Sequence, residues 1–87
     1  MTNEQIIADA AVSAGLFTAE EIKEFIDDGK DIPLHTVSGW STRGAYRVKP
    51  GEHGIETRIW KKRKNEGFYL SKAYLFSENQ VELLKEG

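Results

Sequence analysis

The octapeptide Ile55-Glu56-Thr57-Arg58-Ile59-Trp60-Lys61-Lys62 constrains the fold more than any other stretch of the chain. Successive side chains of an extended strand point to opposite faces. Ile55, Thr57, Ile59 and Lys61 therefore share one face, and Glu56, Arg58, Trp60 and Lys62 share the other. The first face suits packing on helices and the second suits solvent. Lys61 to Gly67 follows as a polar hairpin turn, and Phe68 to Phe76 reads as a further strand, apolar or aromatic almost throughout. Upstream, Ala45 to Lys49 alternates as a strand. Pro50 and Gly51 then fit the two central positions of a type II turn, Pro fixing one dihedral and Gly supplying the positive one. The expectation is a three-stranded antiparallel β-meander core over residues 45–76. Antiparallel partners share faces only in register, so the faces of Tyr69, Lys72 and Tyr74 stay open.

Helices are predicted on both sides of this core. Thr2 with Gln5 and Thr18 with Glu21 are capping boxes, and Phe17 and Ile22 stand at the positions of a hydrophobic staple. They predict a helix over 3–14 and a second from Ala19 to Gly29 whose core face is Ile22, Phe25 and Ile26. Together these form a helical hairpin over 1–32 with acidic outer faces. Thr36 can cap a short helix running through Arg43, with Trp40 as its core plug. Ser77 with Gln80, and Phe76 with Val81, repeat the box and the staple and predict a short C-terminal helix over 77–86. The predicted class is α+β: helical hairpin, short helix, three-stranded antiparallel β-meander and short C-terminal helix. A meander this small is marginal alone, so helices must cover one face.

Eighty-seven residues suit one domain over 1–87. With no cysteine there is no disulfide framework, and no apolar run approaches the roughly 20 residues of a spanning helix. A cytoplasmic protein without membrane contact is expected. The net charge of −2 conceals a segregation: residues 1–32 carry two lysines against eight carboxylates, whereas residues 33–76 carry nine cations against three. A basic centre in an acidic frame suggests an anionic partner for one face.

Catalytic signatures are missing from the sequence. His35 and His53 are its two histidines, and the serines and glycines match neither a nucleophile elbow, a phosphate-binding loop nor a dinucleotide fingerprint. Glu52-His53 lies in a tight turn with no wall of residues to desolvate it. Asp27, Asp28 and Asp31 lack the spacing of a calcium loop and read as the solvated end of the second helix. A non-enzyme without metal or cofactor is expected. What remains is interleaving of cations with aromatic rings, the pattern by which single-stranded nucleic acid is bound, charge tracking phosphates while bases stack. The candidate binding residues are Arg43, Arg47, Lys49, Arg58, Trp60, Lys62, Lys64, Tyr69 and Lys72, with single-stranded DNA, or RNA by the same chemistry, as the partner. The alternative is a small protein-interaction module or regulator that meets a protein partner through the acidic helices.

Trp40, Gly44, the run Val48-Lys49-Pro50-Gly51-Glu52-His53-Gly54-Ile55, Trp60, the strand around Phe68 and Leu75-Phe76, and Ser77 to Val81 with Gln80 carry a resemblance. Over about residues 34–82 the chain resembles the N-terminal domain of ArdC-type antirestriction proteins and their relatives in plasmids, phages and integrated elements. The resemblance implies a single-stranded DNA-binding domain. The metallopeptidase domain that follows in long members of that family has no counterpart in these residues, and its activity does not carry over.

Overall fold

Thr2 and Thr18 start their helices as the capping boxes predict. The Gln5 N–H donates to Thr2 Oγ1 at 3.2 Å while Gln5 Oε1 accepts from the Thr2 N–H at 2.7 Å, and Glu21 repeats both bonds with Thr18 at 3.1 and 3.0 Å. The computed structural model describes residues 1–84. Among them the elements are α1 (Asn3–Ser13), α2 (Ala19–Asp27), β1 (Leu34–His35), α3 (Val37–Arg43), β2 (Tyr46–Val48), β3 (Ile55–Lys62), β4 (Phe68–Ser77), one 3₁₀ turn (Glu78–Gln80) and β5 (Val81–Leu83). This is an α+β fold with a three-stranded antiparallel sheet, as expected. No helix among the described residues is long and apolar enough to cross a membrane.

The sheet differs from a meander in which strands it joins. Its order is β1-β4-β3, and β2 pairs with β5 in a separate two-stranded ribbon. The turn between β2 and β3 does form: Glu52 N–H donates to the Lys49 carbonyl at 3.3 Å, and Gly51 holds φ +83° as a type II turn requires. The chain does not fold back on β2, however. Gly54 passes against β4 so closely that a Cβ there would stand 2.8 Å from both the Phe76 ring and Tyr74 Cβ. Only glycine fits this crossing.

The predicted C-terminal helix is also corrected. Gln80 Oε1 accepts from the Ser77 N–H at 2.9 Å, but the Gln80 amide donates to the His53 carbonyl at 2.8 Å, and the chain turns extended at Val81. A single turn fixes three residues for one hydrogen bond and does not propagate alone. Val81, Glu82 and Leu83 instead pair with Val48, Arg47 and Tyr46, which buries Val81. Residues 85 and 86 of that predicted helix lie outside the described residues.

Two cores flank the sheet. On one side Leu34 and Leu75, both fully buried, pack with Ala11, Ile22 and Ile32 of the hairpin region, joined by Phe17, Phe25 and Ile55. Each such leucine contributes roughly 2 kcal/mol by burial. Ile26, expected in this core, is half exposed because α2 turns it toward the groove beside Asp31 and Arg43. On the other side Trp40 plugs a second core with Phe76 and Val81, Tyr46 and Val48 packing around it. Its Nε1–H donates to the Phe76 carbonyl at 2.9 Å, satisfying the one polar atom this ring buries.

Candidate nucleic-acid interface

The β3–β4 register decides which side chains meet. Glu56 lies opposite Tyr74, Arg58 opposite Lys72, Trp60 opposite Leu70 and Lys62 opposite Phe68. Directly opposed residues share a face, so these eight form two parallel rows on one side of the hairpin. The other parity, Ile55, Thr57 and Ile59 with Leu75, Ala73 and Ser71, faces the helical hairpin side. The second core covers the eight-residue face only at its Phe76 end, and the opposite end is open. Trp60, Phe68 and Leu70, 37%, 64% and 46% exposed, form an apolar patch there, and the Arg58–Lys72 pair separates it from Tyr74, which is 46% exposed.

Arg58 beside Lys72 is the unusual pair. Like charges directly opposed across two strands disfavour the sheet by a few tenths to about 1 kcal/mol. Glu56 offsets part of this: its carboxylate lies 3.4 Å from Lys72 Nζ and accepts from the Tyr74 hydroxyl at 3.4 Å. No carboxylate among the described residues pairs with Arg58 or Lys62. The face therefore keeps a positive excess beside its rings.

Trp60 is held from behind. Its N–H donates to Asn3 Oδ1 at 2.7 Å, its carbonyl accepts from Asn3 Nδ2 at 3.0 Å, and its Nε1–H donates to the Met1 carbonyl at 2.8 Å. Thr2, Asn3, Trp60 and Phe68 line a shallow, mostly apolar recess of about 480 Å³. A ring fixed at its edge with a recess beside it can stack a planar group without losing much freedom of its own.

Of the nine sequence-predicted residues, Arg58, Trp60, Lys62 and Lys72 come together on this face. Tyr69 does not: it lies opposite Lys61 on the reverse face, with the Arg63 guanidinium 5.1 Å from its ring centre. Lys64 sits in the exposed turn between the strands. The other three cations are engaged elsewhere. Arg43 pairs with Asp31 at 2.9 Å and donates to the Gly39 carbonyl at 2.8 Å, Arg47 pairs with Glu82 at 2.7 Å across the β2–β5 ribbon, and Lys49 Nζ donates to the Asn79 carbonyl at 3.0 Å. Sequence reasoning missed Phe68 and Leu70 as members of the face and left the side of Tyr74 open, which the register places here. The signal was there: β4 is apolar at both parities while only its far end is needed for core, so one parity near the turn had to be exposed.

Away from this face, His35 is 8% exposed and packs edge-on against Trp40, with ring centres 4.9 Å apart. Burial, and then the neighbouring Arg43 charge, push its pKa below the ordinary imidazole value, against a smaller opposing pull from Asp31. Hydrogen bonding to Arg43 holds the exposed Asp31 carboxyl below the usual carboxylate range. No group of three or more His, Asp or Glu among the described residues is arranged to hold a metal ion. Neither a family model, a curated protein nor a solved structure matches the chain.

Proposed function

We propose that the chain is a non-catalytic single-stranded DNA-binding domain of the ArdC N-terminal type, from a plasmid, phage or other mobile element, and that the open β3–β4 face is where the strand lies. The observation that carries this reading is the Arg58–Lys72 pair standing next to Trp60–Leu70 on one face. Two opposed cations gain from an anion placed between them, and a phosphate there would put its base within reach of the Trp60 ring. Duplex DNA would more often be read by a basic helix, and α1 and α2 are acidic while α3 carries the single cation Arg43, already paired with Asp31.

The test is a charge-neutralising series read by titration with a short oligothymidylate at 50 mM salt. Arg58→Gln and Lys72→Gln should each weaken binding several-fold. Arg47→Gln, whose charge is already committed to Glu82, should change it little. Equal losses at all three positions would point to diffuse attraction rather than to this face.

A further inference from the structure

Beyond nucleic-acid binding, the edges of the sheet differ in a way that points to a second interaction. The outer edge of β3 is closed by α1 and by Asn3, whose carboxamide takes up both hydrogen bonds of the Trp60 peptide. The outer edge of β4 has no such cover over most of its length. β1 pairs with Phe76 and Ser77 only, because Thr36 caps α3, accepting from the Gly39 N–H at 3.0 Å, and takes the chain off the sheet. Among the described residues nothing pairs with this edge from Phe68 to Leu75.

The parity of the open edge follows from the Asn3 bonds. Since the Trp60 N–H and C=O point away from β4, Trp60 and Leu70 form a non-hydrogen-bonded pair, and the Leu70 peptide groups point away from β3. Lys72 and Tyr74 share that parity, as does Phe76, whose carbonyl is reached from outside by Trp40. Leu70, Lys72 and Tyr74 thus present a row of unmatched donors and acceptors, the template by which a sheet accepts another strand. Beside the row runs a recess of about 390 Å³ between β4 and the first turn of α3, lined in part by Val37, Ile59, Ala73 and Tyr74. Its charged lining groups are Lys61 and Lys72, with no carboxylate.

We propose that this edge binds an extended acidic segment of a partner protein as a fourth strand, antiparallel to β4 and continuing the line of β1. Its alternate side chains are assigned by the face they would share. Residues beside Lys72 are acidic, and residues beside the small Ala73 are apolar and enter the recess toward Ile59 and Val37. Charge selects this occupant: Lys61 and Lys72 flank the recess against one neighbouring carboxylate, that of Glu56, 3.4 Å from Lys72 Nζ, and a second copy paired about Lys72 would oppose like charges.

The experiment uses three blocked ten-residue peptides: alternating glutamate and valine, the same with lysine for glutamate, and the glutamate peptide N-methylated at alternate residues so that one edge cannot donate. Amide exchange and chemical shifts are followed in the full chain at 50 mM salt. The glutamate peptide should slow exchange at Leu70, Lys72 and Tyr74, N-methylation should weaken it by about tenfold or more through the lost main-chain bonds, and the lysine peptide should leave these amides unprotected. Leu70→Pro removes an outward N–H and leaves the β3 ladder intact, so the folded variant should lose peptide affinity by a similar factor. Equal binding of the N-methylated peptide overturns the proposal. So does protection of the same amides by self-association without peptide, or shifts confined to Arg58, Trp60 and Lys62. Should Leu70→Pro fail to fold, the N-methylated peptide decides the matter alone.

Discussion

The Asn3 side chain brackets the peptide of Trp60, its carboxamide oxygen 2.7 Å from the Trp60 nitrogen and its carboxamide nitrogen 3.0 Å from the Trp60 oxygen, so that one side chain stands in for a neighbouring strand. Fifty-seven positions apart in sequence, the two residues lock the start of α1 to the edge of β3. This bracket fixes the tryptophan within the proposed interface, where it stays 37% exposed.

Asn3→Ala should therefore cost about 1–2 kcal/mol, the net worth of two hydrogen bonds at a partly covered edge. Chemical denaturation measures the loss. Emission from Trp60 should shift to the red while the buried Trp40 keeps its spectrum, which a Trp60→Phe background separates.

The register of β3 and β4 makes a paired prediction. Leu75 is fully buried in the core under the helices, so Leu75→Ala should destabilise by about 2–5 kcal/mol. Leu70, on the open face and 46% exposed, should cost under about 1 kcal/mol on the same change while weakening oligonucleotide binding. A slip by one residue would exchange these outcomes, and thermal melts of the two variants distinguish them.

His35 sets a pH dependence whose sign is fixed by burial. Its folded pKa lies below the ordinary imidazole value of 6.5, so the unfolded chain takes up the proton first as pH falls. The stability contributed by the neutral ring is present above about pH 6.5 and is lost as pH drops below it toward the lowered folded value. Asp31 acts later, its depressed pKa adding stability above 3.8 that is lost below it. Melting temperatures between pH 7.5 and 5 should fall for the wild type and fall less for His35→Gln.

Much of this molecule is legible in short stretches of its sequence. Thr2 with Gln5, Thr18 with Glu21, and the alternation from Ile55 to Lys62 each specify local geometry, and the helices and β3 form where these signals place them. What local signals cannot carry is the choice of a distant partner. Tyr46–Val48 could extend a meander or wait for Val81–Leu83, and only the close passage of Gly54 over Phe76 and Tyr74 decides for the latter. Ser77 and Gln80 illustrate the same limit: their hydrogen bond is satisfied by one 3₁₀ turn as well as by a helix. For the candidate face, the residue types were legible and their grouping was not, because Tyr69 and Lys72 stand an odd number of positions apart and so lie on opposite sides, while the cross-strand register that sets either beside Trp60 is not a local signal.

The most direct test of the nucleic-acid reading is a titration of a short dye-labelled single-stranded oligonucleotide, followed by its fluorescence anisotropy across 50–200 mM salt, on the wild type and Trp60→Ala, because the buried Trp40 does not sense this face. Three phosphates neutralised by Arg58, Lys62 and Lys72 imply a log–log slope of roughly −2, so affinity should fall about 15- to 20-fold over that range. Trp60→Ala should fold, since the Asn3 bracket uses main-chain atoms, and should cost about 1–3 kcal/mol of binding with the slope unchanged. A folded wild type with no salt-dependent binding at 50 mM, or a folded Trp60→Ala that binds as well as the wild type, would contradict the assignment of this face.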